Sequence, residues 1–280
     1  MTRFSIKTPP QHARWSDILE IWKAADQIDL FESAWLFDHF YPIIGDQNGP
    51  CFESWVTLTA LSQATSRLRI GSMVNGMHSR HPAITAKMAA TLDIVSQGRL
   101  NLGLGAGWFE PEAKAYGIEL GSVAERMNRF DEAVEVIVRL LSQETTTFQG
   151  RYYHLEDARC EPKGPQQPHP PIVIGGQGEK RTLRTVARWA QIWDALRTEP
   201  EAWRQKHEVL QAHCAAVGRD PKEITCSAHI FTAPDGDPAE LADHAARLFA
   251  LGIDLVIFSL RPPYSVSIVE PLAQALSRLG

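Results

Sequence analysis

Short apolar runs alternate with helix-like segments eight times along the chain, and this alternation restricts the fold more than any other feature. Strands that alternate with helices predict a parallel sheet with right-handed crossovers. Eight units favour an α/β fold, a closed (β/α)8 TIM barrel, with residues 1–280 as a single domain. An open doubly wound sheet is the alternative, because closure is not visible in a sequence. The predicted strands are 2–7, 34–37, 68–74, 99–104, 172–174, 192–195, 225–231 and 255–260. The predicted helices are 15–28, 55–65, 84–95, 123–141, 179–189, 200–216, 238–251 and 266–278.

Residues 144–171 interrupt this rhythm between the fourth helix and the fifth strand. Segments 145–148 and 152–155 flank Gln149-Gly150-Arg151 as in a hairpin, and a proline-rich stretch follows. We expect an insertion that lies over the barrel mouth. Together with the loop 40–52, it would form the walls of a substrate pocket.

Composition excludes several classes of function. A net charge of -5 without a run of Lys or Arg provides no surface for a nucleic-acid backbone. No stretch approaches 18 uncharged apolar residues, and the first residues lack the apolar core of a signal peptide, so we expect a cytoplasmic protein that does not enter a membrane. The four cysteines form no C-x-x-C pair, which favours reduced thiols over disulfides or a zinc knuckle.

Catalytic groups of a closed barrel are expected on the loops that follow the strands. Asp38-His39 follows the second strand directly and is a candidate proton donor or hydrogen-bond partner for a cofactor ring. The alternative is a loop-capping Asp beside a packed His. Arg261 ends the eighth strand, where it either faces a ligand or is solvated. A metal site is less favoured, because His78 and His81 have no carboxylate at ligand spacing.

Two glycine clusters also follow strands. The run 103–107 is not a dinucleotide fingerprint, because its third glycine position is Trp108 and Pro111 falls where a packed helix would already be under way. Bare backbone here would let a flat ring approach, with Trp108 as a pocket wall, although a purely structural glycine strand is the alternative.

The second cluster, Gly175-Gly176-Gln177-Gly178, precedes a helix that we predict to begin at Glu179. Backbone amides at a helix N-terminus suit a phosphate group. Cations in the first helical turns are unfavourable unless an anion offsets them, and this helix would carry Lys180, Arg181 and Arg184 there. The alternative is a tight turn beside solvated basic residues.

These residues together resemble the luciferase-like monooxygenase superfamily, and in particular its deazaflavin-dependent members, over nearly the whole chain. The segments that carry the resemblance are Asp38-His39, 69–75 with His81-Pro82-Ala83, Leu92-Asp93 with Gly98-Arg99-Leu100, 103–108, 125–132, 148–153 and 171–176. The resemblance implies a barrel with an insertion, a homodimer, and coenzyme F420 bound with its ring at the strand ends. The phosphate tail of the coenzyme would lie near residues 175–178.

The resemblance also assigns individual residues. It places a non-proline cis peptide at Ser72-Met73, behind the ring, and ring contacts at His39, Asn75, Ala106 and Gly107. One position departs from the family pattern. Sugar-phosphate dehydrogenases of this superfamily carry a Glu as proton donor where this chain has Trp108, so their substrate is not transferred to this chain. His39 remains the better candidate acid or base.

The resulting hypothesis is hydride transfer between F420 and an unidentified small organic substrate, with His39 as the catalytic residue. The alternatives are an FMN-dependent two-component monooxygenase of the same fold, a barrel that binds a flavin without catalysis, and a metal-dependent hydrolase. The predicted cofactor-binding residues are Asp38, His39, Ser72, Met73, Asn75, Ala106, Gly107, Trp108, Gly175, Gly176, Gln177 and Gly178.

Overall fold

A computed structural model describes residues 2–196 and 199–279 of the chain. Its main sheet is a closed barrel of parallel strands surrounded by helices. The barrel strands are β1 (Arg3–Lys7), β2 (Phe31–Leu36), β3 (Arg69–Ser72) with its short continuation β4 (Asn75–Gly76), β5 (Leu100–Gly105), β8 (Ile172–Gly175), β9 (Ile192–Asp194), β10 (Thr225–Thr232) and β11 (Leu255–Leu260).

Two sets of pairings close the barrel. Strand β1 pairs in parallel with β2 on one side and with β11 on the other, so the first and last strands are neighbours. Strand β3 pairs with β5, which joins the two ends of the sheet order. The sequence-based prediction of a closed (β/α)8 barrel is therefore confirmed.

The helices return the chain to the amino ends of the strands. They are α1 (Trp15–Asp26), α2 (Ser54–Ala64), α3 (Pro82–Val95), α4 (Glu110–Ala115), α5 (Val123–Ser142), α6 (Thr182–Trp189), α7 (Pro200–Val217), α8 (Pro238–Ala250) and α9 (Val269–Leu276). Local sequence explains several of their ends. A reciprocal capping box between Ser122 and Glu125 starts α5, and Pro82 occupies the first turn of α3.

Helix α4 was not predicted. Pro111 lies in its first turn, where proline is compatible with a helix because the N–H it lacks has no partner inside the helix.

Apolar packing divides into two regions. The larger core lies between the strands and the surrounding helices and includes the fully buried Trp22, Phe31 and Phe258. A small second cluster fills the inside of the barrel, with Trp35, Met73, Val173, Ile192, Leu255 and Ile257. Side chains therefore fill the lower barrel, and space for a ligand remains only above them.

The segment 144–171 forms an antiparallel hairpin of β6 (Thr146–Gln149) and β7 (His154–Ala158) between α5 and β8. Glu132 of α5 accepts hydrogen bonds from three backbone N–H groups of its turn, those of Arg151, Tyr152 and Tyr153. Further along, Gln166 bonds Asp93 and the carbonyl of Leu100, at the amino end of β5. The hairpin thus lies against α5, on the outside of the barrel. The connection begins at the amino ends of the strands, and its turn reaches the start of α3, where the rings of Tyr153 and His81 lie 5.3 Å apart. That the insertion lies over the barrel mouth stays a prediction.

Candidate active site

A cavity of about 530 Å³ lies at the carboxyl ends of the strands. It is lined by Gly105–Gly107 at the end of β5 and by Gly175–Gln177 at the end of β8, so the expectation that the two glycine clusters share one rim is confirmed. Nine of the twelve predicted cofactor-binding residues line it: Asp38, His39, Met73, Ala106, Gly107, Trp108, Gly175, Gly176 and Gln177. Ser72, Asn75 and Gly178 are not among its lining residues.

His39 lines this cavity and has a partner that sequence reasoning missed. Its Nδ1 lies 3.3 Å from Oε1 of Glu112, on helix α4. A carboxylate only accepts hydrogen bonds, so we assign the proton to Nδ1. In this tautomer Nε2 is the acceptor. Glu112 is separated from His39 by 73 residues. Only a prediction of helix α4 could have pointed to Glu112 from the sequence, and that helix was not predicted.

Glu112 is buried, and its second oxygen holds the loop that follows β2. Oε2 accepts hydrogen bonds from the backbone N–H groups of Phe40 at 2.6 Å and Tyr41 at 3.1 Å. Burial alone would raise the pKa of this carboxyl, but the interaction with His39 and the two N–H groups outweigh burial and lower it. Glu112 is therefore ionised at neutral pH and fixes His39 together with the loop that carries it.

Aromatic rings surround the His39 imidazole. The rings of Phe37, Trp108 and Phe109 meet it edge to face, with centroid distances of 5.2, 5.7 and 5.7 Å. Trp108 is 59% exposed and lines the cavity, whereas Phe109 is buried. Trp108 therefore forms an apolar wall beside the candidate acid or base, as predicted.

Asp38 is engaged with an arginine below the rim. Its carboxylate forms a bidentate pair with Arg80, and Nη2 of Arg80 also bonds Glu53 at 2.9 Å. Burial raises the pKa of Asp38, and the Arg80 guanidinium opposes that change. Asp38 lines the cavity, but its carboxylate is already satisfied by Arg80. This contact supports the reading of Asp38 as a residue that organises the loop.

The glycines after β5 are required by close approach. Gly107 has φ of +84°, and a Cβ there would lie 2.1 Å from Nδ1 of His78. At Gly103 a Cβ would lie 1.9 Å from the carbonyl oxygen of Ser72, where β3 is interrupted. His78 lines the cavity, and both of its ring nitrogens are buried without a hydrogen-bond partner among the described residues. Burial lowers the pKa of His78, so its ring is neutral. Sequence reasoning had considered His78 only as a metal ligand.

The strand interruption between β3 and β4 contains a non-proline cis peptide, at Met73-Val74 and not at Ser72-Met73 as expected. Ser72 is still paired with Leu36 in the parallel ladder, and the N–H of Met73 donates to the Leu36 carbonyl at 2.9 Å, so the regular strand continues up to the residue before the cis bond. Ser72 bonds the hydroxyl of Ser54, and Asn75 donates to the carbonyl of Gly103 at 2.7 Å. Both residues support the cavity wall from behind.

The loop 175–178 differs from its prediction in one respect. Helix α6 begins at Thr182, so Lys180 and Arg181 precede it. Arg181 pairs with Asp131 at 2.6 Å, and Arg184 lies 3.4 Å from the same carboxylate. These arginines therefore have a carboxylate partner, and the argument that they require a bound anion was wrong.

Gly176 adopts φ of +120° in the same loop, and two contacts with the neighbouring strand hold it. Its N–H donates to Asp194 O at 3.1 Å, and its carbonyl accepts from Trp193 Nε1 at 2.8 Å. The bare backbone of this loop faces the cavity.

The floor of the cavity contains charged groups that the sequence did not reveal. Lys7, the last residue of β1, and Asp194, the last residue of β9, both line it. Nε2 of His229, on β10, lies 3.1 Å from Oδ1 of Asp194, although its N–H is not aligned for a hydrogen bond. All three side chains are buried.

Other sequence-based candidates lie elsewhere. Arg261 packs over the ring of Phe231 at 5.5 Å and does not line the main cavity. All four cysteines are free thiols. Within residues 2–196 and 199–279, no group of three His, Cys, Asp or Glu side chains is placed to hold a metal ion. Over the same ranges, every helix is too short or too polar to cross a membrane.

Comparison with known proteins gives a family and a set of similar chains. A family model described as luciferase-like monooxygenase matches residues 1–272. An uncharacterised protein of Mycobacterium tuberculosis (strain ATCC 25618 / H37Rv) is 29% identical over 226 residues, which are 79% of this chain and 76% of that protein. The F420-dependent glucose-6-phosphate dehydrogenase of Microbacterium testaceum is 31% identical over 225 residues, which are 80% of this chain and 59% of the dehydrogenase.

A solved structure has the same fold over almost its entire length. An F420-dependent secondary alcohol dehydrogenase, in complex with an F420-acetone adduct, superposes with a TM-score of 0.87. The alignment covers 98% of this chain and 99% of that chain at 21% sequence identity. At this sequence identity, the superposition shows that the two chains share a fold.

Proposed function

The chain belongs to the luciferase-like monooxygenase family, and from that premise we propose that it is an oxidoreductase that transfers hydride between coenzyme F420 and a small organic substrate. The observation that carries the proposal is the single cavity shared by the two bare-backbone segments and His39. The relatives named for F420 support the choice of coenzyme. The same proposal treats residues 1–280 as one domain, because strands from both ends of the chain pair.

Two features of the cavity support a planar ring with an anionic tail. The backbone of Gly105 and Gly175 approaches Val74 so closely that a Cβ would lie 2.6 Å or 3.1 Å from its methyl groups, and both glycines leave bare backbone at the cavity wall. His78 has two unpartnered ring nitrogens beside this space, which suits a polar ligand edge. We propose that Met73, Ala106, Gly107 and Trp108 contact the ring and that Gly175–Gly178 lie near the phosphate. In this view Asp38, Ser72 and Asn75 support the wall.

The coenzyme would supply a carbon atom that accepts or releases hydride. The chain supplies orientation and proton transfer. Glu112 accepts the Nδ1–H of His39, which lines the cavity. The free Nε2 of His39 would then accept the hydroxyl proton of an alcohol while the coenzyme receives the hydride. In the reverse direction the protonated ring gives this proton back to a carbonyl oxygen. The aromatic rings of Phe37, Trp108 and Phe109 give His39 an apolar surrounding on three sides.

The lining of the cavity also limits the substrate. Phe37, Ile43 and Trp108 form the wall near His39, and Lys7 is the only lysine or arginine among the described lining residues. A phosphorylated sugar would need basic side chains near the substrate position. We therefore propose an uncharged alcohol or carbonyl compound with apolar substituents.

A fluorescence titration with purified F420, and a parallel titration with FMN, tests the choice of coenzyme. Tight F420 binding supports the proposal. Tight FMN binding without F420 binding, together with oxygen uptake in the presence of reduced FMN, would replace it with the two-component monooxygenase. A metal-dependent hydrolase would instead lose activity on chelation.

The catalytic role of His39 is tested with His39→Asn, and His154→Asn on the exposed edge of the hairpin serves as the matched control. We expect His39→Asn to bind F420 normally and to lose about 10²–10⁴-fold in turnover with uncharged alcohols. Unchanged turnover in both variants would favour a barrel that binds the coenzyme without this proton step.

We also propose a homodimer, formed through helices α2 and α3. Val56 and Ile84 on these helices are 74% and 57% exposed, beside a groove of about 300 Å³ lined by Trp55, Met88 and Val95. An apolar face of this kind suits a second copy of the chain. Val56→Glu is expected to give a monomer in light scattering, whereas Val123→Glu, at an exposed position on α5, is expected to leave the mass unchanged.

A further inference from the structure

Lys7 is a buried lysine whose position calls for a function. It ends β1 at the cavity floor, and 6% of its surface is exposed. Its Nζ donates a hydrogen bond to the carbonyl oxygen of Met73 at 3.1 Å. Among the described residues this carbonyl is the only acceptor of Nζ, so an ammonium with three donors can still donate to a ligand in the cavity that it lines.

The groups packed around Lys7 preserve its positive charge. Asp194 faces it from β9, and the electrostatic attraction of this carboxylate partly offsets the burial that lowers the pKa of Lys7 to about 8. Asp194 is itself ionised, because His229 and Lys7 hold its pKa below the ordinary value despite burial. Burial lowers the pKa of His229, and Asp194 opposes this change. At neutral pH Lys7 is therefore a cation beside the anionic Asp194, and its ammonium carries free donors.

A purely structural role does not explain this arrangement well. Below Lys7 the barrel interior is mostly apolar, with Trp35, Val173 and Ile257 among its residues. Its nearby hydroxyls are hydrogen-bonded, since Ser5 and Ser33 bond each other and Ser33 accepts from Nε1 of Trp35. A buried cation is costly unless it is paired and fully hydrogen-bonded, and an apolar side chain of the same length would fill the space without that cost. Among the residues that the structure describes, Lys7 forms no close ion pair, and the Asp194 carboxylate acts on it only through the electrostatic field. A negatively charged ligand edge above the floor would complete its environment.

We propose that Lys7 stabilises the negative charge that the bound coenzyme gains on accepting hydride, with Asp194 keeping the lysine protonated. This inference rests on the proposed function. When an alcohol is oxidised, its C–H bond breaks and both electrons move with the hydride to the coenzyme ring. The O–H proton goes to His39, and the product is a carbonyl compound. The ring thereby gains one unit of negative charge, while Lys7 keeps its proton throughout.

The test compares binding of oxidised and reduced coenzyme, which does not depend on turnover. Dissociation constants for F420 and reduced F420 are measured at pH 7 for the unmodified chain, Lys7→Met and Lys7→Arg. Lys163→Met is the matched control, because Lys163 is also a partly buried lysine that donates to a backbone carbonyl, that of Leu140, but lies in the segment outside the barrel.

We expect Lys7→Met to weaken binding of the reduced coenzyme at least tenfold more than binding of the oxidised form. Such a tenfold change corresponds to a fall of about 30 mV in the two-electron potential of the bound coenzyme. Lys7→Arg should restore most of the difference, and Lys163→Met should behave like the unmodified chain. An unchanged ratio in Lys7→Met, with normal binding of oxidised F420, overturns the role of Lys7 and leaves the proposed function intact.

Failure of the proposed function has a different signature. If the unmodified chain binds neither form of F420, the choice of coenzyme is overturned whatever Lys7→Met shows, and the same ratio is then measured with FMN and reduced FMN. If Lys7→Met does not fold because Asp194 remains as an isolated charge, the double variant Lys7→Met/Asp194→Asn removes both charges. It should fold and still show the loss of preference for the reduced form, and a retained preference refutes the inference.

Discussion

Replacement of Glu112 tests how the candidate site is held together. Its carboxylate accepts hydrogen bonds from the N–H groups of Phe40 and Tyr41 and contacts Nδ1 of His39. Hydrogen bonds to a charged acceptor each contribute about 1.5–3 kcal/mol. Glu112→Ala leaves both N–H groups without an acceptor, and partial access of water to this loop reduces the loss. We expect a decrease of about 3 kcal/mol in the free energy of unfolding.

Glu112→Gln is the more informative change because it preserves shape. The amide oxygen still accepts from the two backbone N–H groups, so the expected loss of stability is about 1 kcal/mol. The amide NH2 then faces Nδ1 of His39, which must become an acceptor, and the ring proton moves to Nε2. His39 therefore loses its function as a base, and we expect turnover to fall about 10²-fold while F420 affinity changes less than twofold.

The assay measures F420 reduction by absorbance, with denaturant unfolding of each variant in parallel. Glu110→Gln is the control, because Glu110 is an exposed residue in the first turn of the same helix α4. The reasoning is refuted if Glu112→Gln and Glu110→Gln turn over at the same rate. Stability should also respond to acid. The pKa of Glu112 is lower in the folded chain than its value near 4.5 in the unfolded chain, so the ionised carboxyl stabilises the fold at pH values above 4.5. This stabilisation is lost as the pH falls through the folded pKa.

Three further predictions concern the cavity wall and floor. Gly107→Ala places a Cβ 2.1 Å from His78 at φ of +84°. It should lower the free energy of unfolding by about 1–3 kcal/mol and remove most of the F420 affinity in titrations. Gly117→Ala is the control, because its φ is +66° with nothing within 4 Å of the added Cβ, so it measures the backbone contribution alone. Trp108→Ala should raise the KM for apolar alcohols about tenfold with little change in kcat, and an unchanged KM would remove Trp108 from the substrate wall. Because burial lowers the pKa of Lys7 from 10.5 to about 8, the unfolded chain binds more protons between these values, so stability should rise with pH in this window by up to about 3 kcal/mol relative to Lys7→Met in chemical denaturation. If the unmodified chain and Lys7→Met have the same dependence of stability on pH, Lys7 is not a buried charge. Asp194 and His229 are the titratable groups that face Lys7 in this window.

Local patterns in the sequence accounted for most of the fold. Hydrophobic periodicity is a property of neighbouring residues, so it located the eight barrel strands and most helices, although strand β2 begins at Phe31 and not at Ala34. The errors fell where a boundary depends on packing. Helix α6 starts three residues later than predicted, and helix α4, with Pro111 in its first turn, was missed.

The candidate site was predicted only in part, for a related reason. Asp38-His39 and the two glycine clusters follow strands directly, and the closed barrel brings strand ends together, so their convergence on one cavity was foreseeable. The partner of His39 was not, because Glu112 lies 73 residues away on a six-residue helix without a clear periodic signal.

The sequence by itself determined which segments are strands and helices and where glycine leaves the backbone bare, because these depend on side chains that are close along the chain. Only the tertiary structure decided which distant side chains meet: Glu112 with His39, Arg181 with Asp131, and Lys7 with Asp194 and His229. Such contacts depend on barrel closure and on the register of strands far apart in sequence. The charge state of each buried group depends on them in turn.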